Sequence, residues 1–234
     1  MRKLSRDEVK YLAAFTMVLN HLANAGLIPA GTLLHDAFVN IGYFTAITMC
    51  WFLVEGFYHT RSVSRYLGRM VLFACLAQVP YERLLSLHQL NMLFSLTLCL
   101  LLLCVLCFVR DGFLRQFLVL VIFLASLFTD WALLAPLFTA VFARYRTDRK
   151  ALRIAWPILA ALVSLSSLPA AISPYGILNA ILAGVFPLLA GVVVLYGCSG
   201  EKSPNHQTFH KWFFYVFYPA HLAVLLLIKT AAGL

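Results

Sequence analysis

Apolar residues along this chain gather into runs of about twenty, and each run is closed by a short polar break. A helix of about twenty residues rises roughly 30 Å, the thickness of the hydrocarbon core of a bilayer. The pattern therefore predicts nine spans, near residues 9–28, 41–58, 65–84, 91–109, 113–128, 131–144, 151–168, 175–197 and 209–230. The fifth and sixth are short and are expected to tilt or to be partly re-entrant. Polar breaks this brief leave no room for a soluble domain. Residues 1–234 are thus expected to form a single domain, an all-α integral membrane bundle of about nine transmembrane helices.

Charge sharpens this picture. Hydrophobic residues make up 62% of the chain and charged residues 12%, with a mean hydropathy of +0.88, whereas about a quarter of a soluble domain is charged. A net charge of +9 would suit a nucleic-acid partner, but the positions of the cations point elsewhere. Arg2, Lys3 and Arg6 precede the first span, and the next loop has neither Lys nor Arg. Arg61, Arg65 and Arg69 follow the second span, and Arg83 alone marks the end of the third. Arg110 and Arg115 follow the fourth, none follows the fifth, and Arg144, Arg146, Arg149, Lys150 and Arg153 follow the sixth. The seventh is followed by none, the eighth by Lys202 and Lys211, and Lys229 lies near the C-terminus. Because Lys and Arg are retained on the cytoplasmic side during insertion, this alternation predicts a cytoplasmic N-terminus, a C-terminus outside and no nucleic-acid partner.

The opening MRKLSRDEVK is basic but leads into a long span without a small-residue cleavage site, so a retained first helix is expected. No internal repeat stands out. Cys50, Cys75, Cys99, Cys104, Cys107 and Cys198 lie in or beside apolar runs and read as small buried hydrophobes. Cys104 and Cys107 form a CxxC spacing with no second ligand pair, so no metal is expected.

An ionisable group inside an apolar run must face the bundle interior, a cavity or a partner. Lys10 and His21 are separated by close to three helical turns, so one face of the first helix carries both, about 16 Å apart along the axis. Asn20 adjoins the imidazole and Asn24 lies a turn further out, which suggests a polar pocket in the outer half. His221 lies roughly 15 Å into the ninth helix beyond Lys211, at a depth similar to that of His21, with Pro219 weakening the backbone bonding nearby. Either histidine alone reads as a hydrogen-bonding group between helices, and two at one depth point to function. Arg61, Arg65 and Arg69, spaced i, i+4 and i+8, form a basic stripe at the entrance of the third helix, suited equally to phosphates and to lipid headgroups. Arg69 is deeper than topology requires, and Glu55 on the second helix is its expected partner. Glu82, Asn91 and Asp130 stand at outer span ends, where capping is common, and Asp130 is also a candidate to face the pocket.

Lys10 with Asn20-His21, WFLVEGFYHTRS at 51–62, Asn91-Met-Leu-Phe94, Asp130-Trp131 and Phe217-Tyr-Pro-Ala-His221-Leu222 together resemble the TraX family, over residues 10 to 222. That family is typified by the conjugative F-pilin N-acetylase. It is similar in turn to the bacterial membrane acyltransferase superfamily that acylates surface glycans, where a basic residue precedes the first-helix histidine at the spacing of Lys10 and His21. Two departures from the TraX pattern stand out: Asn20 stands in place of Asp, and Trp131-Ala132 in place of Tyr-Gly. An Asn can orient an imidazole but cannot neutralise an imidazolium, so either Asp130 or Glu82 supplies that charge or the base is weaker.

The resemblance implies an acetyltransferase of the bacterial cytoplasmic (inner) membrane, embedded in the lipid bilayer. It would move an acetyl group from cytoplasmic acetyl-CoA to an acceptor outside, whether a pilin N-terminus, another peptide or a surface glycan. On this expectation Lys10, Arg61, Arg65 and Arg69 hold the donor phosphates, and the pantetheine arm descends towards His21. His21 then acts as base or as transient acyl carrier, Asn20 beside it, and His221 positions the acceptor or stabilises the oxyanion. Asn24, Asn91, Asp130 and Tyr218 are the expected acceptor contacts. A longer acyl donor is one alternative. A different class is a non-catalytic transporter or a pilus or surface assembly scaffold, whose histidines line a proton or substrate path.

Overall fold

The computed structural model describes residues 3–168, 176–201, 203 and 205–233, so Arg2 and Lys202, counted among the cations above, lie outside the described residues. The described residues form nine α-helices, one for each expected span: α1 (Arg6–Asn24), α2 (Leu33–His59), α3 (Val63–Leu85), α4 (Met92–Phe108), α5 (Gly112–Ser126), α6 (Leu134–Tyr145), α7 (Arg149–Ser166), α8 (Gly176–Val192) and α9 (Gln207–Ala231). A π-helical turn, Val193–Gly197, continues α8. Taken by length and composition, α2, α8 with its π turn, and α9 are each able to cross a membrane.

Local chemistry explains where the helices start. Ser5, Thr32, Ser62, Asn91, Asp111 and Asp148 each accept a backbone N–H of the first turn that follows, which satisfies donors a helix leaves orphaned. At Ser5 the bond is reciprocated by Glu8 in a capping box. The cap at Thr32 starts α2 well before the apolar run that predicted it. This early segment is polar, yet its Asn40 is satisfied, donating to the Asp36 carbonyl at 2.7 Å and to Asn179 of α8. The same logic corrects the basic stripe. Ser62 caps α3, so Arg61 lies outside the helix and does not share a helical row with Arg65 and Arg69.

The exterior of the bundle is apolar, unlike that of a soluble protein, and polar side chains are set into its largely apolar core. Large apolar side chains such as Phe113, Phe128, Ile177 and Leu227 stand outermost, while Thr16, His21, Asn40, Thr48, Asn91, Ser95, Thr139 and His221 are buried. Water would make such an exterior a liability, and lipid makes it the expected one. Inside, α1 packs along α2, α3 along α9, and α8 against both α2 and α7. Gly191 allows the last contact, because a Cβ there would come within 2.8 Å of the Trp156 ring, whose Nε1–H donates to the Pro187 carbonyl at 2.9 Å.

Short backbone bridges fasten each end. Near the N-terminus, the Leu4 N–H donates to the Gly197 carbonyl and the Ser199 N–H donates back to Leu4, both at 2.8 Å, and Asp7 accepts the Ser203 N–H at 2.9 Å. These bonds tie the segment after α8 to the start of α1. At the opposite end Leu90 donates to Phe128 at 3.0 Å and accepts from Asp130 at 2.7 Å, which fixes the backbone on which Asp130 sits.

Candidate active site

A cavity of about 910 Å³ lies among α1, α2, α3, α4 and α9. Its wall follows α1 from Arg6 to Asn24, a rise of roughly 27 Å, so it runs almost the full depth of the bundle. Three zones succeed one another along it.

The zone nearest the N-terminus is cationic, with Arg6, Lys10, Arg61, Arg69 and Lys211 on the wall beside Asp7 and Glu55. Glu55 is bound by Arg6, and by Arg146 Nη1 at 3.4 Å. The expected pairing of Glu55 with Arg69 does not occur. The Arg69 guanidinium instead lies over the rings of Tyr66 and Tyr215, at 5.9 and 5.7 Å, and its buried Nε has no hydrogen-bond partner. Lys10 lies 5.3 Å from the ring centre of Phe52 and 5.5 Å from that of Phe214, and 3.9 Å from Asp7. Arg65 is exposed and off the wall, which corrects its expected place beside Arg61 and Arg69. The middle zone is apolar and adaptable, lined by Met17, Met49, Leu53, Met70, Phe52 and Phe214.

Beyond it stands His21, on the wall and only 5% exposed. Its Nδ1 lies 2.7 Å from Nε2 of His221, and the two rings are within 10° of parallel. His221 stands behind His21, off the wall, and its Nδ1 lies 2.9 Å from the Phe217 carbonyl oxygen. The similar depth read from sequence is therefore a direct contact between helices α1 and α9. Asn20 does not serve the imidazole. Its amide donates to the Val39 carbonyl at 2.7 Å and accepts from Asn24 at 3.0 Å. Gly42 is what admits it, since a Cβ there would fall 2.4 Å from the Asn20 side-chain nitrogen. Neither Asp130 nor Glu82 forms an ion pair with His21, and Glu82 instead accepts from Gln78 at 2.7 Å.

The far zone carries amides, phenols and one carboxylate: Asn20, Asn24, Gln89, Tyr43, Tyr81, Tyr218 and Asp130. Gln89 donates to the Tyr81 hydroxyl at 3.0 Å. The Tyr218 hydroxyl is buried without a hydrogen-bond partner among the described residues. Trp131, whose ring meets Tyr43 edge-on at 5.5 Å, has φ of 61°, and Leu133 has 57°, a backbone region costly for bulky residues. Asn91, expected among the acceptor contacts, is off the wall and fully buried. Its side chain caps α4 through Leu93 N–H at 3.0 Å and donates to Ala74 and Gln78 of α3, each at 2.8 Å, so it acts as a structural node.

Arg6, Lys211, Tyr81 and Gln89 are wall residues that sequence reasoning did not single out. Arg6 and Lys211 read as ordinary topology signals, and Gln89 lies in a loop with no periodicity to orient it. Among the described residues no group of three or more His, Cys, Asp or Glu is arranged to hold a metal ion.

The family model described as TraX protein matches residues 5–229, a stretch that contains all nine helices but for the end of α9, all three zones and both histidines. The chain belongs to the TraX family. Among the relatives of the chain is the probable fimbrial assembly protein FimC, serogroup H1, of Dichelobacter nodosus, 31% identical over 235 residues that cover 94% of each chain. No solved structure matches the chain.

Proposed function

We propose that this TraX-family protein is a membrane-embedded acetyltransferase that takes an acetyl group from cytoplasmic acetyl-CoA and delivers it to an acceptor entering from outside the bacterial inner membrane. One observation carries the reading: a single cavity joins a cationic mouth, an apolar passage, a buried histidine and a hydrogen-bonding mouth of amides, phenols and one carboxyl group. Acetyl-CoA is highly anionic at one end and thin at the other, and it cannot cross a bilayer unaided. A cationic mouth on the cytoplasmic side and an apolar passage inward suit it. That orientation, with nine spans, the N-terminus inside and the C-terminus outside, is supported by the Lys and Arg among the described residues, of which only Arg83 and Lys229 fall at the end away from the N-terminus.

Arg61, Arg69, Lys10 and Lys211 hold the donor phosphates by charge-assisted bonds, with Arg69 offering the unused Nε. The pantetheine arm passes Met17, Met49 and Met70 and brings the thioester to His21. His21 takes the proton of the acceptor N–H or O–H while that atom bonds to the acyl carbon. The C–S bond then breaks, CoA leaves as thiolate, and the proton returns to it. Asn24, Asp130 and Tyr218 contact the acceptor, and Asn20 shapes that end of the cavity through Asn24 and Val39. The acceptor is a pilin N-terminus, another peptide or a surface glycan, and the fimbrial name of the relative favours pilin.

The test is CoA release from acetyl-CoA by purified protein in detergent, with acceptor peptide added and donor binding followed alongside. His21→Ala should abolish release, a loss of roughly 10²-fold or more, and leave donor affinity nearly intact. Undiminished release in that variant would sink the role of His21. A second reading, a non-catalytic assembly scaffold, is favoured by the name of the relative, and it predicts neither acetyl-CoA binding nor turnover.

A further inference from the structure

A backbone carbonyl can only accept a hydrogen bond, so His221 Nδ1, 2.9 Å from the Phe217 oxygen, carries the proton of that contact. Among the described residues neither His221 nor His21 has a carboxylate within ion-pair distance, and an unpaired buried charge is costly, so both rings are neutral. A neutral His221 that donates from Nδ1 must accept at Nε2. The partner at 2.7 Å, His21 Nδ1, is then the donor, and the one unprotonated nitrogen of His21 is Nε2.

From this chain of bonds we infer that His221 is a positioning residue, which fixes the tautomer of His21 so that Nε2 is the basic nitrogen available to the cavity. This rests on the acetyltransferase reading for its consequence on rate, while the bonds themselves can be measured without turnover. His221 suits the task because it does not touch the cavity and its own ring is clamped. Phe217 lies parallel to it within 12° at 5.1 Å, and Tyr218 meets it edge-on at 5.6 Å. When His21 Nε2 takes the acceptor proton, the positive charge is shared across the N–H···N contact with His221 and faces the Phe217 carbonyl dipole. A second imidazole thereby fixes the His21 tautomer as an adjacent carboxylate would, though without its charge, and Asn20 is left to shape the acceptor end.

The experiment is 15N NMR of histidine-labelled full-length protein in detergent, with the His21 signals assigned by difference from His21→Gln, read beside CoA release and donor affinity. The wild type should carry its His21 proton on Nδ1. In His221→Leu the proton should move to Nε2, the tautomer a free imidazole prefers, and release should fall roughly 10²- to 10⁴-fold. Donor affinity should stay within about two-fold, which also reports that the variant is folded. His221→Gln, whose side-chain oxygen can accept the His21 Nδ1–H, should restore that tautomer and part of the rate. A wild-type His21 protonated on Nε2, or full release by His221→Leu, overturns the inference. Wild type with the Nδ1 proton and no release under any acceptor supports the bond chain and overturns the acetyltransferase reading instead.

Discussion

The two mouths of the cavity differ in kind. Five cations stand at the N-terminal mouth against Asp7 and Glu55, while the far mouth sets Asp130 among amides and phenols. A ligand at the first mouth is recognised by charge, and one at the second by hydrogen-bond shape. Charge recognition is long-ranged and weakened by salt, whereas hydrogen bonding in a half-buried pocket is short-ranged and largely indifferent to it. On the proposed acetyltransferase reading, one cavity with two such ends would receive two unlike ligands and bring them together at the histidine between them.

The strongest way to break this contrast is Arg69→Ala. A charge-assisted hydrogen bond in a partly buried site contributes about 1.5–3 kcal/mol, so donor affinity should weaken roughly 10- to 100-fold with kcat at saturation little changed. Titration of acetyl-CoA against the purified variant checks it, and an unchanged Kd would remove Arg69 from the donor site. Asp130→Asn acts at the other mouth. It should raise the acceptor KM by about ten-fold and leave the donor KM alone, and a change in the donor KM instead would merge two zones that the structure separates.

Smaller effects sharpen the comparison. Glu55→Gln removes the carboxylate shared by Arg6 and Arg146, so the cationic mouth should bind donor a few-fold more tightly, with an affinity falling more steeply as salt is added. The same variant should melt at a lower temperature, because two guanidinium groups lose their partner. Smallest of all is Arg65→Ala. Since Arg65 is exposed and off the wall, donor affinity should change by less than about two-fold. A large loss there would restore the single basic stripe that sequence spacing suggested.

The contrast between Arg65 and Arg69 shows what a sequence reveals of a site like this. Helical spacing said that they share a face, which is correct along α3, but it said nothing of where α9 would lie against that face. Tyr215 of α9 covers Arg69 and leaves Arg65 in the open. Asn91 teaches the same lesson from the opposite side. Its place at a span end marked it as either cap or acceptor contact, and only the approach of Ala74 and Gln78 from α3 made it a cap with no group left for a ligand.

What the sequence determined by itself was governed by short range: nine apolar runs, polar caps at the starts of six of the helices, an alternation of cations, and the shared face of Lys10 and His21. Hydropathy and capping depend on a residue and its neighbours within a turn or two, so they can be read one helix at a time. The tertiary structure alone decided how each helix is rotated about its axis and which partner it meets. That rotation gave Glu55 to Arg6 and Arg146, turned Asn20 away from the imidazole, and brought His21 and His221 into one hydrogen bond across the length of the chain. Interhelical packing sets these angles through contacts among many side chains at once, and no periodicity within a single segment encodes them.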